Sequence, residues 1–331
     1  MEKTRKKWID QARGFSIFLV VYGHNFPITE PYIYTFHVPL FFFIAGFFHV
    51  DTFTVDAILR RAKKLLVPYF FWAILLFTFW WLLGRHYGNV NELKMSVLKN
   101  FFGIFYAQGG SAYMSWGIPL WFLPCIFVVY LCFGFLKRYF KGFYFYALLF
   151  ITSTLGLAWG YYTNIHLPWS LDVAMVAIIF YFLGNHLNRF LSNLNGIKLY
   201  LFALLFLLLH LLAYWLSENK VDMYRSIYGN PFIFLTGGIS GSLFFVMLFK
   251  ILPYGAILEF LGKNTIIILA THLTAMTFIK AIGIFVLGYH FETMNEWQKL
   301  YLAFVQIGLT VPIIVLSNKF LPVLNGKTSK S

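Results

Sequence analysis

The chain has 331 residues, of which 60% are hydrophobic, 22% aromatic and only 11% charged. The charged fraction is under half that of an ordinary soluble domain, and apolar stretches of about 18 residues or more recur throughout, which excludes a soluble enzyme and specifies an all-α polytopic membrane protein. The formal net charge of +14 marks basic cytoplasmic loops rather than a nucleic-acid partner.

The opening MEKTRKK is basic, and the apolar run behind it is interrupted by Asp10, Gln11 and Arg13 with no small-residue cleavage site. It reads as a retained first membrane helix and not as a signal peptide. Candidate spans follow in chain order at roughly 8–28, 33–50, 65–84, 118–136, 142–161, 171–187, 198–216, 231–252, 264–287 and 299–317. Runs this long and continuous fit helices; barrel strands are about ten residues and alternate. Ten spans place both termini on one side. Starting inside, 18 Lys and Arg residues fall on the cytoplasmic side and 6 outside, which sets both termini in the cytoplasm. No soluble domain remains: residues 1–331 form a single integral-membrane domain with short basic ends, 1–7 and 319–331, expected in a bacterial cell membrane.

Between the spans, the loop ILRRAKKLLVPYFFW (58–72) carries four cations, including Arg60, Arg61 and Lys64. Such clusters commonly set topology and touch anionic lipids; Arg61 and Lys64, one turn apart, can also hold phosphate together. The outer segment 85–117 contains NELKMSVLKNFFGIF, whose apolar spacing suits a helix on the membrane surface, and a loop with Gly109, Gly110, Gly117 and several aromatics. Those aromatics suit an interfacial belt, and equally a sugar-stacking face. Cys125 and Cys132, seven apart in one apolar run, are small core residues and not a disulfide or metal framework. No HExxH, Walker loop or strand-borne GxGxxG is present, so no metal is expected.

An ionisable residue inside a span is a functional candidate by default. Asp10 and Arg13 are three apart on a helix and can pair. Arg13 and His24 are eleven apart, about 16 Å and three turns, so they share a face. A cation at one end and an imidazole at the other suit a long phosphate-bearing cofactor. The alternatives are a snorkelling arginine and a histidine in a polar helix contact. His37 starts the next span after a short connection and can share acid–base work with His24. Pro39 and Gly46 permit a kink and close packing there. His272 lies within the ninth span; histidines 49, 86, 166, 186, 210 and 290 show no clustering in sequence.

WIDQARGFSIFLVVYGHNF resembles the opening of the membrane acyltransferase-3 family, whose first helix carries an arginine, ten residues and a histidine, matched by Arg13 and His24. FHVPLFFFIAGFF, RRAKKLLVPY, PLWFLPCIF and LGKNTIIILATHL are similar to further family motifs in the same order. The resemblance implies acyl transfer, usually of acetyl from acetyl-CoA, to hydroxyls of extracytoplasmic glycans or lipid-linked sugars. It implies His24 as catalytic histidine, and Arg13 with the basic motif on the CoA side. Lys64 stands where the family has a second arginine; it keeps the charge and loses the bidentate fork. The rival reading is a glycan or lipid-linked-sugar flippase, which needs no CoA-phosphate site.

Overall fold

Several helix starts in this chain carry their own hydrogen-bond acceptor. Thr54 Oγ1 accepts from Ala57 N, Ser96 Oγ from Lys99 N, and Asn230 Oδ1 from Phe232 N and Ile233 N, satisfying donors that the first turn leaves open. Pro231 follows Asn230 at the first helical position, where its missing N–H costs nothing. Helix ends at Ala107 and Gly288 turn left-handed, with φ of 52° and 61°.

The computed structural model describes residues 6–86, 95–218, 220–289 and 291–327. Lys3, Arg5, Lys94, His290 and Lys330 lie outside the described residues, as do residues 87–94 of the outer segment. The described residues are helical, with no strand among them apart from an isolated bridge between Asp222 and Ile227. The helices are α1 (Lys7–Gly23), α2 (Glu30–Tyr34), α3 (His37–Phe47), α4 (Val55–Leu82), α5 (Val97–Tyr106), α6 (Ser111–Met114), α7 (Phe122–Tyr139), α8 (Gly142–Tyr162), α9 (Leu171–Asn193), α10 (Ile197–Trp215), α11 (Pro231–Ile251), α12 (Ala256–Lys263), α13 (Thr265–Leu287) and α14 (Glu296–Phe320).

Among the described residues, eight helices are long and apolar enough to cross a membrane: α4, α7 to α11, α13 and α14. The expected spans 8–28 and 33–50 fold as shorter helices of 17 and 11 residues. At 1.5 Å per residue these rise about 26 Å and 16 Å, against a hydrocarbon core of about 30 Å. The first run stops early because Phe26 takes a left-handed φ of 53° and Pro27 follows. A second difference concerns residues 58–64, expected in a loop. They are helical, since α4 begins at the Thr54 cap and carries Asp56 in its first turn. Hydropathy cannot see that extension, because Arg and Lys are good helix formers.

The chain divides into two compact units. Unit 1 comprises 1–44, 186–221 and 229–320; unit 2 comprises 45–185, 222–228 and 321–331. In unit 1, α1 packs against α11, α12, α13 and α14. The α1/α12 contact is backbone to backbone: a Cβ on Gly14 would collide with the Leu258 carbonyl, and one on Gly262 with the Asp10 carbonyl, so only glycine permits the approach. Phe36 stacks on Phe245 at 4.2 Å, and Phe15 on Phe245 at 5.2 Å. Lys250 Nζ donates to the carbonyls of Leu191, Ser192 and Leu194 at 2.6–2.9 Å, capping the C-terminal end of α9. In unit 2, Tyr69 Oη donates to Ile104 O at 2.7 Å and Trp72 Nε1 to Leu324 O at 3.2 Å. Gly46 lies against the Tyr181 backbone, again with no room for a Cβ. Cys125 is buried and Cys132 half-buried, both as free thiols.

Candidate active site

His24 caps α1 with φ −72° and ψ −5°. Its Nδ1 lies 2.7 Å from Val20 O. A carbonyl only accepts, so Nδ1 carries the hydrogen; the neutral ring then presents Nε2 as a lone pair. The turn that follows is clamped to α14. Asn25 Nδ2 donates to Lys299 O and to Gln306 Oε1, each at 3.1 Å, and Lys299 Nζ donates to Phe26 O at 3.0 Å. Ile28 N donates to Glu296 Oε2 at 2.8 Å, and Glu296 pairs with Lys299 at 2.7 Å. These bonds fix where His24 sits.

Two further imidazoles belong to the same part of unit 1. His272 of α13 meets His24 edge to face, with ring centroids 5.1 Å apart and planes at 80°. His37 of α3 is buried, directs Nδ1 to Ile33 O at 2.8 Å and lies 4.9 Å from the Tyr34 ring. Gly23 makes room for Tyr34, whose ring edge stands 3.3 Å from where a Cβ would be. Lys220 Nζ lies over the Tyr34 ring, 4.5 Å from its centroid, and 2.6 Å from Glu30.

Arg13, on the same helix as His24, pairs with Asp10 at 3.1 Å; Asp10 is buried and the arginine about a quarter exposed. That end of α1 faces α12, where Gln11 Oε1 accepts from Gly255 N at 2.5 Å and Lys7 Nζ lies 4.7 Å from the Tyr254 ring. On α12, the Lys263 ammonium 2.6 Å from Glu259, with the Tyr254 hydroxyl bonded to the same carboxylate, holds that carboxyl below its ordinary range.

The remaining sequence candidates lie on α4 in unit 2. Arg60 and Lys64 are exposed. Arg61 is half-buried with its guanidinium 5.6 Å from the Tyr130 ring, and its Nε is buried with no hydrogen-bond partner among the described residues. Near it, His49 Nδ1 contacts Tyr181 Oη at 2.9 Å and its ring stands edge-on to Phe133 at 4.9 Å.

Three histidines that looked isolated in sequence are therefore placed in clusters. His49 joins the aromatic group just described. His210 is fully buried against Tyr32 and Phe36, with Nδ1 3.0 Å from Gly237 O. His166 lies 3.2 Å from Asp172, which also accepts from Ser226 Oγ at 2.9 Å. In that trio the carboxylate takes the serine hydroxyl, so the imidazole does not activate it and the group is no nucleophilic triad. The residue missed near His24 was His272: it sat in a quoted motif, but nothing local in sequence joins it to the far end of the chain. Among the described residues no group of three or more His, Cys, Asp or Glu is arranged to hold a metal ion.

The family model for an acyltransferase domain, acyltransferase-3, matches residues 6–318. The chain belongs to the acyltransferase-3 family. This acyltransferase matches no curated protein and no solved structure. The match spans both units and takes in α1 with Arg13 and His24, the basic start of α4, and α13 with His272. Membership makes the protein a membrane acyltransferase, acting on an acyl donor and an acceptor.

Proposed function

We propose that the acyltransferase moves an acetyl group from cytoplasmic acetyl-CoA, or a related acyl-CoA, to a hydroxyl of an extracytoplasmic polysaccharide or lipid-linked sugar, with His24 as general base. The observation that carries this reading is the His24 ring itself. Its Nδ1–H is held by Val20 O at 2.7 Å, which leaves Nε2 free to take a proton, and it stands three turns from Arg13 on one helix. His24 Nε2 removes the proton of the acceptor hydroxyl as its oxygen attacks the thioester carbonyl. The ester C–O bond forms, the thioester C–S bond breaks, and His24 returns the proton to the departing thiolate. Imidazole suits both halves because its ordinary titration range lies near neutral pH. His37 is proposed as a second imidazole that orients the acceptor hydroxyl.

On the donor side, Arg13 is proposed for a CoA phosphate. Arg60, Arg61 and Lys64 are proposed, in their own unit, for the same chemistry. Arg61 and Lys64 stand one turn apart on α4, and a guanidinium binds phosphate through two parallel donors. The test is equilibrium binding of acetyl-CoA to purified protein in nanodiscs. Wild type is expected to bind, and Arg13→Ala to bind about tenfold or more weakly, as for loss of one charge-assisted contact. Absence of binding by wild type overturns the reading in favour of a flippase.

A further inference from the structure

His272 is the most completely enclosed ionisable side chain near His24. It is 0% exposed. Its Nδ1 lies 2.9 Å from Ile268 O and 3.0 Å from Leu269 O. Two carbonyls on one nitrogen fix that nitrogen as the N–H donor and lock both the tautomer and the ring plane. Nε2 is consequently a lone pair, buried, with no hydrogen-bond partner among the described residues. Leaving a buried acceptor unsatisfied is destabilising, and such an orphan in a native site asks for an explanation. The ring it faces is that of His24, 5.1 Å away and nearly perpendicular.

We propose that His272 is a positioning residue for His24, a neutral imidazole locked in place to orient the base and to stabilise it while Nε2 of His24 carries the transferred proton. The inference rests on the reading of His24 as the base. Like charges at this distance repel, so only one of the two rings takes up a second proton at a time; His272 is wholly enclosed while His24 is partly exposed, and a buried charge is costly, so that role falls to His24. An edge-to-face neutral ring favours a cation through its electron-rich face or its lone pair. The other charged groups around His24 are Glu30 on α2, Lys220, and Glu296 with Lys299 on α14; His37 on α3 is the other titratable neighbour. Glu30 with Lys220, and Glu296 with Lys299, are already paired with each other, and His37 directs its Nδ1 to its own helix. Among these groups His272 alone meets the His24 ring edge to face.

The experiment uses native membranes carrying the full-length protein and radiolabelled acetyl-CoA, with label counted in the polysaccharide fraction as acetyl-CoA is varied. Four proteins are compared: wild type, His24→Ala, His272→Phe and His272→Gln. Phenylalanine keeps a flat ring and loses the lone pair; glutamine restores a polar acceptor near Nε2. His272→Phe is expected to lower kcat by about 10- to 100-fold, less than loss of the base itself, with KM for acetyl-CoA changed less than about twofold. His272→Gln is expected to recover most of the rate. A structural role alone would not separate kcat from KM, and would leave Gln no better than Phe. An unchanged kcat in His272→Phe overturns the inference while leaving His24 standing, as does a parallel loss of kcat and donor affinity in both variants. Label transfer by His24→Ala at the wild-type rate overturns the base assignment, and this inference with it. Thermal melts of the detergent-purified variants separate loss of folding from loss of rate.

Discussion

His24, His37 and His272 each direct Nδ1 to a carbonyl one turn back in the chain, at 2.7, 2.8 and 2.9 Å. The helix thus decides the tautomer, and all three rings keep Nε2 as the nitrogen not bonded to their own backbone. This follows from a helical register and needs no other side chain. The Arg13–Asp10 pair was legible for the same reason: three residues on a helix bring the two groups together. Contact between His24 and His272 was not legible, because no period links opposite ends of a chain. Away from the spans, Glu259 shows how a local pair couples to pH. Lys263 first, then Tyr254, depress its carboxyl below the ordinary 4.5. A group depressed in the fold adds stability that is complete above its unfolded value and is lost as pH falls through its folded value. Glu259→Gln is therefore expected to melt below wild type at neutral pH, and the gap to close in acid below the folded value. Thermal melting in detergent at the two pH values reads this; a gap that persists in acid contradicts it.

At the scale of elements, the tightest constraint is where α1 meets α12. Gly14 and Gly262 each lie against a carbonyl of the other helix. Backbone cannot yield as a side chain tip can, so Gly14→Val is expected to destabilise the protein by about 3 kcal/mol, at the upper end for overpacking. Gly308 of α14 has nothing within 4 Å of its would-be Cβ, and Gly308→Ala is expected to leave the melt unchanged or raise it slightly, alanine being the better helix former. Equal melts for both variants would remove the close α1/α12 approach from the account. The apolar runs 142–161, 198–216 and 231–252 meet α8, α10 and α11 within a residue or so, since lipid-length helices are what hydropathy detects. The start of α4 escaped it. Cations and a Thr54 cap built a helix where low hydropathy suggested a loop.

For the whole molecule, the burial pattern agrees with a lipid setting. Only 22% of the spanning window is buried in α8, and likewise in α10. Their exposed faces carry Phe143, Tyr144, Phe150, Leu201, Leu204 and Leu208, a surface that water would not tolerate in such extent. With 18 basic residues assigned inside and 6 outside, single cysteines introduced at Lys7 and Lys327 are expected to resist an impermeant thiol reagent applied to intact cells. One at Arg225 is expected to react. The reverse pattern would invert the proposed direction of transfer. The central claim is narrower, that an acyl group reaches a glycan through His24. Its most direct measurement is transfer of label from radiolabelled acetyl-CoA to surface polysaccharide by wild type and His24→Ala at matched folded protein. The account predicts a loss of about 100-fold or more in the variant, the scale of a missing general base; transfer at the wild-type rate would contradict it.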